Sequence, residues 1–348
     1  MSGVTRRDTF RIAVAGGLAS AAIIAGSAEE AVAQAAQQGA VPTFRLLLVN
    51  DIYKMSEQKG RGGFARLAAI ARAAKSDGVP TLYAHAGDMY SPSLMSGFDQ
   101  GAHTVELLNV VPPDVFVPGN HEFDFGKDNY LERLQQAKYP FFAANLRHAD
   151  GTPIARHQDR AVLALGPVKV GVFGVALKDT PLMSSAEGFT FLDEMQTVRE
   201  QTRALRAEGA DIVVAVTHTD FARDIEIMRS RLVDVLLTGH DHDLRISYDN
   251  RTAMVESGEE GEYVTAIDMY CVVAEKDGKR TVTWRPAFRP IDSALVTPDP
   301  EALAIVRRYE AELSKELDVT IGTTAVELDS RSASVRSQET AIGNLIAD

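Results

Sequence analysis

What constrains this chain most is how its apolar runs end. Seven short runs rich in Val, Leu, Ile and Phe read as buried strands: Phe44–Asn50, Thr81–His85, Val115–Pro118, Phe141–Asn145, Val168–Val175, Ile212–Thr217 and Val235–Thr238. Helical patterns lie between them, over Gly63–Lys75 and roughly over 103–110, 127–137, 194–208 and 221–232. On the first of these Phe64, Leu67 and Ala68 share a face. Strand–helix alternation argues for an α/β layered fold. Five of the strands deliver, at their C-terminal ends, Asp51, Asp88, Asn120-His121, His218 and the pair His240 and His242. The carboxyl edge of an open α/β sheet is where ligands bind. Carboxylate oxygen, amide oxygen and imidazole nitrogen together suit Zn, Mn, Fe or Co, rather than a thiolate site or an all-oxygen calcium site. One such residue alone is ordinarily a cap or a turn. Five strand ends behaving this way point to a metal centre.

Charge and cysteine content narrow the partners. The 348 residues carry 36 Lys and Arg against 48 Asp and Glu, a net charge of −12. An acidic chain lacks the basic footprint that a nucleic-acid polymer requires. It can still take a phosphate substrate where a metal supplies positive charge locally. Cys271 is the single cysteine, which excludes an intrachain disulfide and a CxxC site. At the N-terminus, Arg6, Arg7 and Arg11 precede an uncharged stretch from Ile12 to Ala28, followed by Ala31-Val32-Ala33. This is a charged region, an apolar region and a small-residue cleavage pattern, and the Arg6-Arg7 pair resembles a twin-arginine export signal. At 17 residues and rich in Gly and Ala, the stretch is at the short end for a membrane span. The expectation is a signal peptide over 1–33, a flexible leader over 34–43, and a periplasmic or secreted monomer that meets the membrane only during export.

The pattern changes after residue 246. Tyr263–Tyr270 and Thr281–Trp284 flank Asp277-Gly278, which predicts a hairpin. Asp299-Pro300 opens one charged helix to about residue 316. The stretch from Val319 to Leu328 reads as strand. His85 reads as a core or edge histidine, and Asn145 as a turn or pocket residue. Asp220, Asp241 and Asp243 read as acceptors near the ligands. Trp284 and Phe288 read as core, and Cys271 as buried and inert.

The phrases Gly87-Asp88, Gly119-Asn120-His121-Glu122 and Gly239-His240-Asp241-His242 resemble the calcineurin-like metallophosphoesterase signature. Longer ones resemble the 5′-nucleotidase and UDP-sugar hydrolase family: Val49–Asp51, Gly62–Leu67, Gly119–Gly126 and Glu339–Asp348. The resemblance covers about residues 44–348. It implies a four-layer α/β/β/α sandwich metallophosphatase domain over 44–292, a linker helix over 293–318, and the truncated start of a second α+β domain over 319–348. It also implies two divalent transition metal ions. Asp88 would bridge them, Asp51 and His242 would complete one site, and Asn120, His218 and His240 the other. His121 would face the substrate phosphate, oriented by Asp124. Two ions about 3.5–4 Å apart generate hydroxide at neutral pH and clamp phosphoryl oxygens. The implied activity is phosphate release from nucleotides or nucleotide sugars. Cyclic-nucleotide or thiosulfate-ester hydrolysis on the same fold, or a non-catalytic, metal-depleted binding protein, are the alternatives.

The family pattern after the first strand is Asp-x-His, and here it is Asp51-Ile52-Tyr53. Tyr53 has three readings: a phenolate ligand to a strongly Lewis-acidic ion, a vacancy filled by water, or a ring packed beside the site.

Overall fold

The computed structural model describes residues 40–320 and 322–347. The export signal expected over 1–33, and the leader up to residue 39, lie outside the described residues. Among the described residues, fifteen strands follow in chain order. β1 is Phe44–Val49, β2 Thr81–His85, β3 Val115–Phe116, β4 Phe141–Phe142 and β5 Leu146–His148. β6 is His157–Gln158, β7 Arg160–Leu165, β8 Val168–Val175, β9 Phe189–Phe191 and β10 Ile212–Thr217. β11 is Val235–Thr238, β12 Leu244–Tyr248, β13 Ala253–Ser257, β14 Tyr263–Lys276 and β15 Lys279–Asp292.

Two sheets carry the architecture. One has the order β15-β14-β1-β2-β3-β4-β6 and the other β12-β13-β11-β10-β8-β7. β1, β2, β3, β4 and β6 run parallel, as do β8, β10, β11 and β13. The apolar runs are continuous because both faces of each sheet are covered. Along β1, Phe44, Leu46 and Leu48 point into a core shared with the second sheet, while Leu47 and Val49 join the core beneath the helices. Along β10, Ile212, Val214 and Val216 enter the shared core, and Val213 and Ala215 face the opposite way. The helices Phe64–Ser76, Ala102–Leu108, Gly126–Gln136 and Pro300–Leu317 cover the first sheet, and Glu194–Ala207 and Phe221–Ser230 the second. The result is the expected four-layer sandwich.

The hairpin turns at Asp277 and Gly278, both with positive φ (52° and 71°), as a two-residue turn matching strand twist demands. β3 and β4 are shorter than their apolar runs, because the chain leaves the ladder early to form loops. β7, β12 and β13 extend the second sheet beyond what the strand pattern predicts. No strand forms among the described residues of 319–328. That stretch finds no ladder partner there, and its backbone pairing is what a strand requires. No helix among the described residues is long and apolar enough to cross a membrane.

Asp299 fastens the long helix Pro300–Leu317. Its carboxylate accepts from the Glu301 and Ala302 amides, its own amide donates to the Ala65 carbonyl, and Arg72 Nε donates to it at 2.8 Å. Asp299→Ala is expected to lower unfolding stability by about 1–2 kcal/mol. Asp299→Ser should recover most of the loss, as urea denaturation would measure.

Candidate metal centre

The parallel strands of both sheets end at one edge, and the loops that follow them close over a common pocket. Asp51 follows β1, Asp88 follows β2, Asn120 and His121 follow β3, His218 follows β10, and His240 and His242 follow β11. Cross-sheet hydrogen bonds set the spacing. Asn50 Oδ1 accepts from the Ser257 amide and its Nδ2 donates to the Gly258 carbonyl and to Asp51 Oδ2. The His240 amide donates to the same Asp51 oxygen at 2.9 Å. Four of the six expected ligands sit in left-handed backbone: Asp51 (φ 52°), Asp88 (62°), His240 (96°) and His242 (65°). Each such residue costs about 1–3 kcal/mol and persists only where its surroundings enforce it.

Glu122 enforces one of them. This buried carboxylate accepts from the amides of Asp88 (2.8 Å), Met89 (2.7 Å) and Gly119 (2.6 Å), so it draws the β2 and β3 loops together. Burial and the charge of Asp88 push it up to about 7, against those amide donors. The close approach also needs glycine. A Cβ on Gly119 would lie 2.1 Å from Asp88 Oδ1 and 2.6 Å from His218 Cε1.

Two sets of donors result. In the first, Asp88, His218 and His240 place ligand atoms within 4.8 Å of one another. His218 Nδ1 donates to the Ala86 carbonyl at 2.7 Å, which fixes its tautomer and turns Nε2 inward. Both His218 Nε2 and Asn120 Oδ1 are buried and without a hydrogen-bond partner, although Nε2 lies 3.2 Å from Asp88 Oδ2. Buried polar atoms of this kind call for a missing partner. Burial opposes charge on both Asp88 and His218, yet their mutual attraction prevails: the carboxyl is held below its usual range and the imidazole above. The pocket thus favours positive charge. Burial and the neighbouring His218 hold His240 below its usual value, toward the neutral form a metal ligand needs. The residues fit a divalent ion of the mixed nitrogen and oxygen class.

The second set does not fit an ion in the same way. Tyr53 Oη lies 3.1 Å from Asp51 Oδ1, 3.2 Å from Asp88 Oδ2 and 2.9 Å from His242 Nε2. Burial and the two carboxylates hold this phenol protonated, far above its usual value. The ring packs within the site, and its hydroxyl takes the centre of the donor set.

His121 stands beside both sets. Its amide donates to Asp88 Oδ1 at 2.8 Å, and Nδ1 lies 2.6 Å from Asp124 Oδ2. Ser91 Oγ donates to that same Asp124 oxygen at 2.8 Å. Burial works against the charged imidazole, but the Asp124 bond and the Asp88 charge outweigh it and raise the His121 value. The other polar residues do different work. His85 is fully buried and pushed down to about 3 by burial. Asn145 clamps Ala176 through both its amide atoms. Asp220 caps the helix Phe221–Ser230, and Asp241 and Asp243 pair with Arg245. Trp284 and Phe288 pack at the margin of the inter-sheet core. Cys271 is half-buried, and burial pushes its thiol up to about 12.

Sequence reasoning missed Glu122, Glu260 and Asn50 as organisers. Glu122 lies inside a quoted motif, but its role appears only once its amide partners are in place. Glu260 Oε2 accepts from the Tyr53 and Lys54 amides, from some two hundred residues away. Gly119→Ala is expected to leave the circular dichroism spectrum intact while weakening metal uptake by about 10–100-fold, as measured by equilibrium dialysis and elemental analysis.

The calcineurin-like phosphoesterase family profile matches residues 44–244. A snake venom 5′-nucleotidase from Naja atra is 26% identical over 338 residues, covering 87% of this chain and 63% of that protein. The 5′-nucleotidase of Homo sapiens is 26% identical over 338 residues, covering 87% of this chain and 58% of that protein. The chain thus spans about three fifths of the length of these relatives. A solved 5′-nucleotidase precursor from Thermus thermophilus superposes with a TM-score of 0.67 at 21% identity, covering 87% of this chain and 65% of that one, a likeness of fold.

Proposed function

The chain belongs to the calcineurin-like phosphoesterase family, and on that premise we propose that it is an exported, metal-dependent phosphoesterase that releases phosphate from nucleotides or nucleotide sugars. The observation that carries the reading is the cluster of Asp88, His218 and His240, with unpartnered buried atoms on His218 and on Asn120 in the loop after β3, set beside a half-exposed His121 whose amide bonds Asp88. A divalent transition ion there supplies a Lewis acid and a nucleophile at neutral pH. The nucleotide class is supported by the 5′-nucleotidase relatives, and export by the N-terminal pattern. The chain acts as a monomer in this reading. The two-ion expectation meets Tyr53, whose hydroxyl stands between Asp51, Asp88 and His242.

The chain's own residues do the rest. Asp124 accepts from His121 Nδ1, which fixes the ring orientation and leaves Nε2 as the nitrogen that meets the substrate. The Asp124 bond and the Asp88 charge raise the His121 value and so favour the charged ring. An imidazolium there stabilises charge developing on the phosphoryl oxygens and gives its proton to the leaving alkoxide. No covalent intermediate with the protein is needed, since phosphoryl transfer is driven by positioning and electrostatics. Ser91 steadies Asp124 by donating to the oxygen that also holds His121.

A panel of 5′-nucleotides, a UDP-sugar, a cyclic nucleotide and a thiosulfate ester separates the readings. Phosphate release from the first, and cleavage of the second to UMP and a sugar phosphate, abolished by a chelator and restored by Mn or Zn, are the expected results. Sulfate release alone, or no release from metal-loaded protein, would refute it. His121→Ala is expected to lower kcat by about 10²–10⁴-fold at unchanged metal content. Asp124→Asn should give a smaller loss of the same kind, with the alkaline limb of the pH–rate profile moved to lower pH.

A further inference from the structure

We infer that this chain carries a one-ion centre, in which the Tyr53 hydroxyl rather than a second metal joins Asp51, Asp88 and His242. The inference rests on the metal-dependent reading above and concerns only how many ions that site holds. An oxygen 2.9–3.2 Å from each of three donor atoms fills the volume that an ion bonded to the same atoms at about 2.0–2.2 Å would need. The donors stand at hydrogen-bond spacing around a hydroxyl.

The two donor sets differ in what is left over. His218 keeps one ring nitrogen for the Ala86 carbonyl and the other without a partner. His242 has Nε2 at 2.9 Å from the Tyr53 hydroxyl, while its Nδ1, 3.3 Å from Glu259 Oε2, makes only an ion-pair contact of the kind His218 Nε2 makes 3.2 Å from Asp88 Oδ2. Asn120 offers an unpartnered oxygen. Asp51 Oδ2 accepts twice, from Asn50 and from the His240 amide, and Oδ1 faces the Tyr53 hydroxyl.

Tyr53 is also held in place. It is 6% exposed, and its ring stands edge-on to both His121 and His242, with centroids 5.6 Å away. Its amide donates to Glu260 Oε2 at 3.2 Å, and the next amide, of Lys54, donates to the same oxygen at 2.9 Å. Lys54 Nζ pairs with the other Glu260 oxygen at 2.9 Å. The backbone on either side of the ring is therefore anchored to the β13–β14 loop.

The test is metal stoichiometry of the mature chain dialysed against Mn(II), by elemental analysis, with electron paramagnetic resonance on the same samples. The expected result is about one ion per chain with an isolated-ion spectrum. Asp51→Asn should retain that ion, and His218→Ala should lose it. Tyr53→His should rise to about two ions with an exchange-coupled spectrum. Two ions in the unaltered chain would overturn the inference. So would loss of the ion in Asp51→Asn with its retention in His218→Ala. A visible phenolate-to-iron band in iron-loaded protein would overturn it too, because Tyr53 would then be a ligand. A chain that binds no ion would instead refute the metal-dependent reading itself. The spectrum of the unaltered chain decides the question even if a variant fails to fold.

Discussion

Everything at this site depends on the parallel strands of two packed sheets ending at the same edge. β1, β2 and β3 belong to one sheet, β10 and β11 to the other, and their cores interlock through Leu46, Leu48, Val214 and Val216. Each strand can then end in a loop whose polar residue meets the others above a dry, fixed platform. Burial raises the cost of any unpaired polar atom. The pocket is therefore closed by hydrogen bonds that cross between sheets: Asn50 to Ser257 and Gly258, His218 to Ala86, and His240 to Asp51. Left-handed backbone at Asp51, Asp88, His240 and His242 is the strain this closure holds.

The organisers are residues that would not ligate anything. Glu122 gathers the loop amides around Asp88, and Glu260 anchors the loop that carries Tyr53. Asp124 and Ser91 orient His121. Such residues let the pocket be rigid before a substrate arrives, which is where catalytic power in phosphoryl transfer comes from.

Much of this was legible in the sequence. β2, β8, β10 and β11 coincide with their apolar runs, because strands covered on both faces need uninterrupted apolar character. Asp51, Asp88, Asn120, His218, His240 and His242 were legible as polar residues placed directly after such runs. The hairpin at Asp277-Gly278 was legible from turn chemistry. What was hidden depended on distant partners. Asn50 and Glu260 gain their roles from residues about two hundred positions away. Val319–Leu328 has strand composition but no ladder partner among the described residues. The place of the Tyr53 hydroxyl could not be read from Asp51-Ile52-Tyr53, since it is fixed by Asp88, His242 and Glu260 together.

In the proposed centre the Asp88 pocket is the seat of the chemistry and Tyr53 occupies its neighbour. Anomalous diffraction at the manganese edge, on crystals of the full chain grown with Mn(II), tests this most directly. The account predicts a single peak at about 2.0–2.3 Å from Asp88, Asn120, His218 and His240, with Tyr53 still between Asp51 and His242. A peak between Asp51 and His242 with the tyrosine ring displaced, or no peak beside His218, would contradict it.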